Sequence, residues 1–298
     1  MKKAKIDQNQ PVNLLIQQAA LGDWVLTFPI MRSLGPTAAI APSSKANLAA
    51  RILKGITPIN AEHPELTRLF ADDCEPPSEF ESLFKNSKNI ISFLGNGDDP
   101  WSRNVRRFAP DAVIAFLTTI PPPSWFGHLL NWQFKQLRDQ GITLESSASL
   151  STRSSLNGPV VIHPGSGSQE KCWPRKRFEE LMRCLIDNGI PVRAILGEVE
   201  METWAEKEVD HWRTEFSALA IDKLDLLFDI LGNARSFVGN DSGPTHLAAS
   251  MGLPTVALFG PTSSATWAPI GPSVTVIESM MQAGVDSVIS AIESMVPC

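Results

Sequence analysis

The stretch Phe237–Thr262, FVGNDSGPTHLAASMGLPTVALFGPT, decides the fold because it holds an apolar run, a polar turn, a helix and a second apolar run. The first run ends at Gly239, and Pro244 follows a short polar turn. Proline suits the first helical position because its missing N–H would have no intrahelical partner there. The stretch therefore predicts two parallel strands joined by a crossover helix.

The same alternation extends outward from this stretch through the whole chain. The predicted strands are Val12–Ile16, Ala38–Ile40, Asn89–Leu94, Ala112–Leu117, Val160–His163 and Val192–Gly197. The predicted helices are a segment that follows Asp23, Trp125–Gln140 with Gly141 after its end, one from Pro174 to a stop at Gly189, Glu200–Phe216 and Leu224–Leu231. Strand and helix patterns that alternate with short connections predict a parallel sheet covered by helices on both faces.

The alternation occurs in two halves, so the sequence predicts an α/β protein of two Rossmann-like domains facing a central cleft. Ser146–Gly158 is rich in serine and lacks apolar periodicity, which predicts an interdomain linker. The predicted domains are residues 1–150 and 151–298.

Composition excludes several classes of protein. Apolar residues make up 43% and charged residues 19% of the 298 residues, which excludes a disordered chain or a coiled coil. A net charge of −6 argues against a nucleic-acid partner. The four cysteines form no CxxC pair, and the polar N-terminus precedes apolar runs too short for a signal peptide or a membrane helix. We expect a cytoplasmic protein without a metal site, and peripheral contact with a membrane stays open.

Ligands in doubly wound sheets bind beyond the carboxyl ends of the strands. Four loops at such positions carry unusual polar residues: Ala20–Asp23, Pro164–Lys171, Gly197–Glu200 and Gly239–His246. The turn before Pro244 opens a helix with free N–H groups and a partial positive charge, which predicts an anion site. Gly243 would let the backbone approach a phosphate, and His246 lies in the first turn. An ordinary N-cap is the alternative.

The loop His163–Pro174 offers glycines, hydroxyls and Lys171, which could contact phosphate oxygens. It is neither a Walker loop nor a GxGxxG motif. A flexible surface loop with a solvated lysine is the alternative.

Two features of the first half complete the candidate site. Asp23 follows a buried strand and is either a general base or the N-cap of the helix that begins near Trp24. Arg103, Arg106 and Arg107 could bind an anionic acceptor, and helical spacing places the first and third on one face. A solvated helix face is the alternative for these arginines.

Four segments together resemble a known family. LGDWVLTFP, HPGSGSQEKCWPRKRFEEL, LGEVE and FVGNDSGPTHLAASMGLPTVALFGPTSSATWAP are similar to signature segments of the ADP-heptose–lipopolysaccharide heptosyltransferases, glycosyltransferase family 9. The resemblance is strong across the second half of the chain. It implies an inverting glycosyltransferase of the GT-B fold, with an acceptor-side first domain and a donor-binding second domain.

The resemblance also implies a role for each candidate residue. Asp23 would be the general base, Glu200 would hold the donor ribose, with Glu198 close by in sequence, and the three arginines would contact the acceptor. The implied donor contacts are Ser166, Ser168, Lys171, Glu200, Asp241, Ser242, Gly243, Thr245 and His246. The sugar nucleotide would be a substrate, so no separate cofactor is expected. The acceptor would be a glycan or glycolipid, with the enzyme in the cytoplasm or at the cytoplasmic face of the inner membrane.

Two other functions fit parts of the sequence. A non-catalytic protein that binds nucleotide sugars would explain why the first half resembles the family less. A Rossmann oxidoreductase is disfavoured because GxGxxG is absent.

Overall fold

The computed structural model describes residues 12–145 and 151–296. The chain forms two compact units, Met1–Ser147 and Ala148–Cys298, and each has its own parallel sheet. The α/β class is therefore confirmed. The division falls among residues 146–150, which lie outside the described ranges, so the boundary at 150/151 stays a prediction.

The first unit contains five strands and seven α-helices within the residues described. The strands are β1 (Val12–Ile16), β2 (Thr37–Ala41), β3 (Ile56–Asn60), β4 (Ser87–Ser92) and β5 (Val113–Phe116). The helices are α1 (Leu21–Val25), α2 (Phe28–Leu34), α3 (Ser43–Ile52), α4 (Pro64–Thr67), α5 (Glu81–Lys85), α6 (Pro100–Phe108) and α7 (Leu129–Asp139).

The first sheet has the strand order β3-β2-β1-β4-β5. All its strand pairs are parallel. Strand β2 lies on one side of β1 and β4 lies on the other side. The strand order therefore reverses beside the carboxyl end of β1. Ligands in such sheets bind at this reversal. Strand β3 was not predicted because Pro58 breaks its pattern, and an edge strand tolerates that proline.

The second unit contains six strands and seven α-helices in its described part. The strands are β6 (Val160–His163), β7 (Val192–Leu196), β8 (Leu219–Ala220), β9 (Ser236–Asn240), β10 (Thr255–Leu258) and β11 (Val274–Ile277). The helices are α8 (Arg175–Asp187), α9 (Glu198–Thr203), α10 (Glu206–Phe216), α11 (Leu224–Gly232), α12 (Gly243–Ser250), α13 (Ser264–Trp267) and α14 (Val285–Met295).

The second sheet has the order β11-β10-β9-β6-β7-β8. Its strands are parallel throughout, and β9 pairs directly with β6. The order reverses between these two strands, so the loops that follow them meet at one edge. The hydrophobic core of this unit includes Phe178 on α8, Trp212 on α10 and Val238 on β9.

Three predicted helices differ from the structure. The helix predicted from Trp125 begins at Leu129, after PPPSWFGH, and it ends before Gly141, whose φ of +88° suits the C′ position. The helix predicted for 200–216 is two helices, because Ala205 starts a new one with Glu208 accepting from its N–H. Pro174 is the N-cap of α8 rather than its first residue.

The predicted linker is wrong over residues 153–158. The Arg153 amide donates to Gly252 O at 2.8 Å, and the Ser155 amide donates to Ala234 O at 3.0 Å. A Cβ on Gly158 would lie 2.1 Å from Asn233 O, so the chain there is packed against the second unit. Backbone N–H groups of this serine-rich segment donate hydrogen bonds to carbonyl groups of neighbouring turns. Composition alone cannot show such contacts. Residues 146–150 of the predicted linker lie outside the described ranges.

Candidate functional site

The loops after β6 and β9 are locked together by hydrogen bonds. Asn240 Nδ2 donates to Pro164 O at 2.7 Å, and Asn240 Oδ1 accepts from the Trp173 amide at 2.9 Å. Ser166 Oγ donates to Asp241 O at 2.7 Å. The structure therefore brings the two predicted phosphate-binding loops into one site, and it uses the Ser166 hydroxyl to hold them.

The Asp241 carboxylate contacts three polar side chains of this site. It accepts from Lys171 Nζ at 3.2 Å and Thr262 Oγ1 at 2.8 Å, and it lies 3.4 Å from His246 Nε2. Burial raises the pKa of Asp241, but these neighbours outweigh burial and keep the pKa below its ordinary value. An ionised carboxylate repels anions, so the geometry indicates that Asp241 is a partner of Lys171 and His246 rather than a contact for an anion.

Helix α12 begins one residue earlier than predicted. Ser242 is the N-cap, Gly243 is the first helical residue and Pro244 is the second. The amides of Thr245 and His246 both donate to Ser242 O. The Gly243 amide, which helix geometry leaves without an intrahelical partner, is therefore the first-turn donor best suited to an anion.

His246 is almost fully buried beneath this turn rather than directed at the solvent. Its Nδ1 has no hydrogen-bond partner, whereas its Nε2 faces Asp241. A buried polar atom without a partner costs free energy, which a bound ligand or water can recover. Ser168 lies exposed at the start of the short 3₁₀ turn Gln169–Lys171, on the rim of the same site.

Glu200 lies buried next to the loop after β6, whereas Glu198 is exposed. Glu200 Oε2 accepts from the Gly197 amide at 2.8 Å and lies 3.4 Å from His163 Nε2. Burial raises the pKa of Glu200, but His163 and the Gly197 amide outweigh burial and lower it. A Cβ on Gly165 would lie 1.8 Å from Glu200 Oε1, so the loop covers this carboxylate. A ribose contact would therefore require the loop to shift.

His163 is a site residue that sequence reasoning did not single out. It ends β6, and its Nδ1 lies 3.3 Å from Ser242 Oγ while its Nε2 faces Glu200. The imidazole thus joins the loops after β6, β7 and β9. Its position at the end of a buried strand was the available signal.

Asp23 is the third residue of α1 and follows β1 at the reversal of strand order in the first sheet. Ala20 is the N-cap of that helix, so the N-cap alternative for Asp23 is wrong. Lys45, near the start of α3, donates to Ala19 O. Burial lowers the pKa of Lys45, and the negative charge of Asp23 opposes that shift. Asp23 therefore has a cationic neighbour that the sequence analysis missed.

The three arginines of α6 do not converge on one point. Arg103 pairs with Asp72 at 2.5 Å and Arg107 donates to Cys74 O at 3.2 Å, so these two share a face as predicted. Arg106 instead donates to Gly97 O, and its guanidinium lies 5.0 Å from the centre of the Phe116 ring. The three arginines therefore do not form one shared acceptor site.

The described residues contain neither a cluster of metal ligands nor a membrane-spanning helix. Within 12–145 and 151–296, no three His, Cys, Asp or Glu side chains are grouped so as to hold a metal ion. No helix in these ranges is long and apolar enough to span a bilayer.

Comparison with known proteins identifies the family. Residues 124–295, more than half of the chain, match the family model described as glycosyltransferase family 9 (heptosyltransferase). A Campylobacter coli protein, lipopolysaccharide heptosyltransferase 1, is 30% identical over 114 residues, which are 35% of this chain and 32% of that relative. Lipooligosaccharide heptosyltransferase 2 of Haemophilus influenzae is 30% identical over 112 residues, 36% of this chain and 32% of that relative. The matched segment thus spans about a third of the length of these relatives.

The fold agrees over nearly the whole chain. The E. coli heptosyltransferase WaaC with ADP superposes with a TM-score of 0.68 at 14% identity, over 95% of this chain and 99% of that one. A family 9 glycosyltransferase from Veillonella parvula gives a TM-score of 0.70 at 16% identity, over 97% and 98% of the two chains. The fold is GT-B, as predicted, and the chain belongs to glycosyltransferase family 9, the heptosyltransferase family.

Proposed function

We propose that this protein is an inverting glycosyltransferase that moves a heptose or similar sugar from an ADP-linked donor to a lipopolysaccharide-core glycan or related glycolipid. The observation that carries the proposal is the site where the loops after β6 and β9 interlock around Asp241. The family assignment and the names of the relatives support the choice of donor and acceptor.

On the donor side, Lys171, the Gly243 amide and the amino end of α12 supply positive charge or N–H donors in one place. The diphosphate gains negative charge as it leaves the sugar, so groups fixed in advance stabilise the transition state more than the ground state. Asp241 keeps Lys171 in position for that contact. The sugar nucleotide is a substrate in this proposal, and no separate cofactor takes part.

On the acceptor side, Asp23 removes the proton from the attacking hydroxyl. The hydroxyl oxygen then bonds to the anomeric carbon as the bond to the diphosphate breaks, which inverts the configuration. The ammonium group of Lys45 lies close enough to Asp23 for the two charges to interact. The exposed arginines of α6 are candidate contacts for acceptor anions. We place the reaction in the cytoplasm, at or near the inner membrane.

Transfer assays with ADP-heptose and a truncated lipopolysaccharide acceptor test these roles. Asp23→Asn is expected to lower kcat by about 10²- to 10⁴-fold, because general-base catalysis contributes that much, and to leave the Kd for ADP within about twofold. Asp111→Asn is the matched control, since Asp111 is exposed and lies outside the site. Near-normal transfer by Asp23→Asn would contradict the assignment of Asp23 as the general base.

Lys171→Ala is expected to raise the Kd for ADP about tenfold, because it removes a charge-assisted contact. Lys176→Ala, an exposed lysine at the start of α8, is the control. Thermal-shift measurements with ADP, UDP, GDP and dTDP test the nucleotide base, since a ligand at a hundred times its Kd stabilises by about 2.7 kcal/mol. Nucleotide binding without transfer or hydrolysis would instead identify a non-catalytic binding protein.

A further inference from the structure

The loop between β5 and α7 carries the two most exposed large apolar side chains of the described residues. Ile120 is 71% exposed and Phe126 is 92% exposed. Between them lie three consecutive prolines, which restrict the backbone. Two apolar side chains exposed to this extent on one short loop indicate a contact surface rather than ordinary surface scatter.

The base of this loop is braced rather than loose. Trp132 Nε1 on α7 donates to Thr118 Oγ1 at 3.3 Å, and Trp125 Nε1 donates to Gly127 O at 3.1 Å. The rings of the two tryptophans lie 5.2 Å apart. Ile120 and Phe126 therefore extend into solvent from a loop whose base is held by the rings of Trp125 and Trp132. Each of these rings has an apolar body and one polar N–H group.

The loop itself carries no acidic side chain, no lysine and no arginine, and a cation lies beside its start. Residues 112–134 contain no Asp, Glu, Lys or Arg, so no charged side chain in this run opposes entry into an apolar phase. Arg106 lies beside the start of the loop, over the Phe116 ring, and within the part of the chain that the structure describes it pairs with no carboxylate. Lys135 lies over the Trp132 ring, although it also pairs with Asp139.

We infer that the loop Thr118–His128 is a membrane-contact surface that inserts Ile120 and Phe126 into an anionic lipid surface, with Arg106 at the level of the headgroups. Apolar tips, tryptophans with one polar end and a flanking cation match the apolar, interfacial and negatively charged layers of such a surface. Neutral lipid offers the apolar layer without the negative charge.

The position of the loop suits a lipid-linked acceptor. It follows the carboxyl end of β5, and β1, which leads to Asp23, ends at the same edge with only β4 between them. Strand spacing puts these two strand ends about 10 Å apart. This inference deepens the proposed function, because an acceptor sugar held near Asp23 would have its lipid portion near the membrane.

Vesicle flotation without any sugar nucleotide tests the inference apart from the proposed function. The wild-type chain is expected to float with vesicles of phosphatidylethanolamine and phosphatidylglycerol at low salt, and much less with pure phosphatidylcholine. The double variant Ile120→Ser, Phe126→Ser is expected to bind at least about tenfold more weakly, because two large apolar side chains no longer enter the lipid. Arg106→Gln is expected to reduce binding to the anionic vesicles and its dependence on salt.

Leu156→Ser and Met281→Ser remove exposed apolar side chains elsewhere and serve as controls. An unchanged Tm of the loop variant shows that it still folds. Absence of wild-type flotation, or equal flotation of the loop variant, overturns the inference. Unchanged flotation together with a raised KM for a water-soluble acceptor assigns the loop to glycan binding instead. A failure of sugar transfer with intact flotation would count against the proposed function only.

Discussion

At the scale of single residues, His163 is a site residue that the sequence did not predict, and its contacts lead to a clear expectation for stability. It is buried between Glu200 and Ser242, which lie at the starts of two different helices, α9 and α12. We expect His163→Ala to lower the free energy of unfolding by about 1–3 kcal/mol, because a buried carboxylate loses a partner. It should also raise the Kd for ADP, since the helix turn at Ser242 loses its support. Urea denaturation and calorimetric titration measure the two effects.

His211→Ala is the control for this change, because His211 is a half-exposed histidine on α10. A His163→Ala variant as stable as His211→Ala would show that the imidazole does not hold the loops together.

The buried carboxylates also predict how stability depends on pH. The pKa of Glu200 lies below its ordinary value of 4.5, and that of Asp241 lies below 3.8. The unfolded chain therefore binds protons at a higher pH than the folded chain does. The stability from these groups is complete above about pH 4.5, and it is lost as the pH falls toward and through their folded pKa values.

We expect Glu200→Gln to flatten the decline of unfolding free energy between about pH 5 and 3, as measured by urea titrations at several pH values. Glu198→Gln, an exposed neighbour, is expected to leave the slope unchanged. Equal slopes for wild type and Glu200→Gln would contradict the lowered pKa.

At the scale of elements, the segment 153–158 tests the packing of the second unit. A Cβ on Gly158 would lie 2.1 Å from Asn233 O, a backbone atom that cannot move alone. We expect Gly158→Ala to lower the free energy of unfolding by about 1–3 kcal/mol, as overpacking does elsewhere. Chemical denaturation measures the loss.

Gly232→Ala is the matched control, because nothing lies within 4 Å of a Cβ at that helical position. It should be neutral or slightly stabilising, since alanine favours a helix. A Gly158→Ala variant as stable as this control would mean that the segment is a loosely attached linker after all.

Most elements were predictable because their signals are local. Strands β1 and β6 have the predicted bounds, since each is a short apolar run bounded by polar or turn residues. Strand β3 was missed because Pro58 is acceptable only at an edge, and the edge depends on strand order. The helix predicted from Trp125 starts late because the Trp125 side chain braces a loop instead.

At the scale of the whole molecule, each unit has its own sheet and core. All the predicted donor contacts lie in the second unit. We expect a fragment of residues 148–298 to unfold cooperatively and to bind ADP with a Kd near that of the full chain, as measured by circular dichroism and calorimetry. The same fragment with Lys171→Ala should bind about tenfold more weakly. A fragment without a cooperative transition would show that the second unit depends on the first.

The sequence by itself determined the α/β alternation and the polar loops after the strands, because apolar periodicity and turn residues act over a few neighbouring residues, and the resemblance of its motifs to a known family indicated the GT-B fold. Only the tertiary structure decided which polar groups meet. Lys171 reaches Asp241 across 70 residues, and His163 reaches Glu200 because three parallel strands end at one edge. Lys45 lies near Asp23 for the same reason, since β1 and β2 are neighbours. Contacts of this kind follow from strand order, which no local pattern specifies.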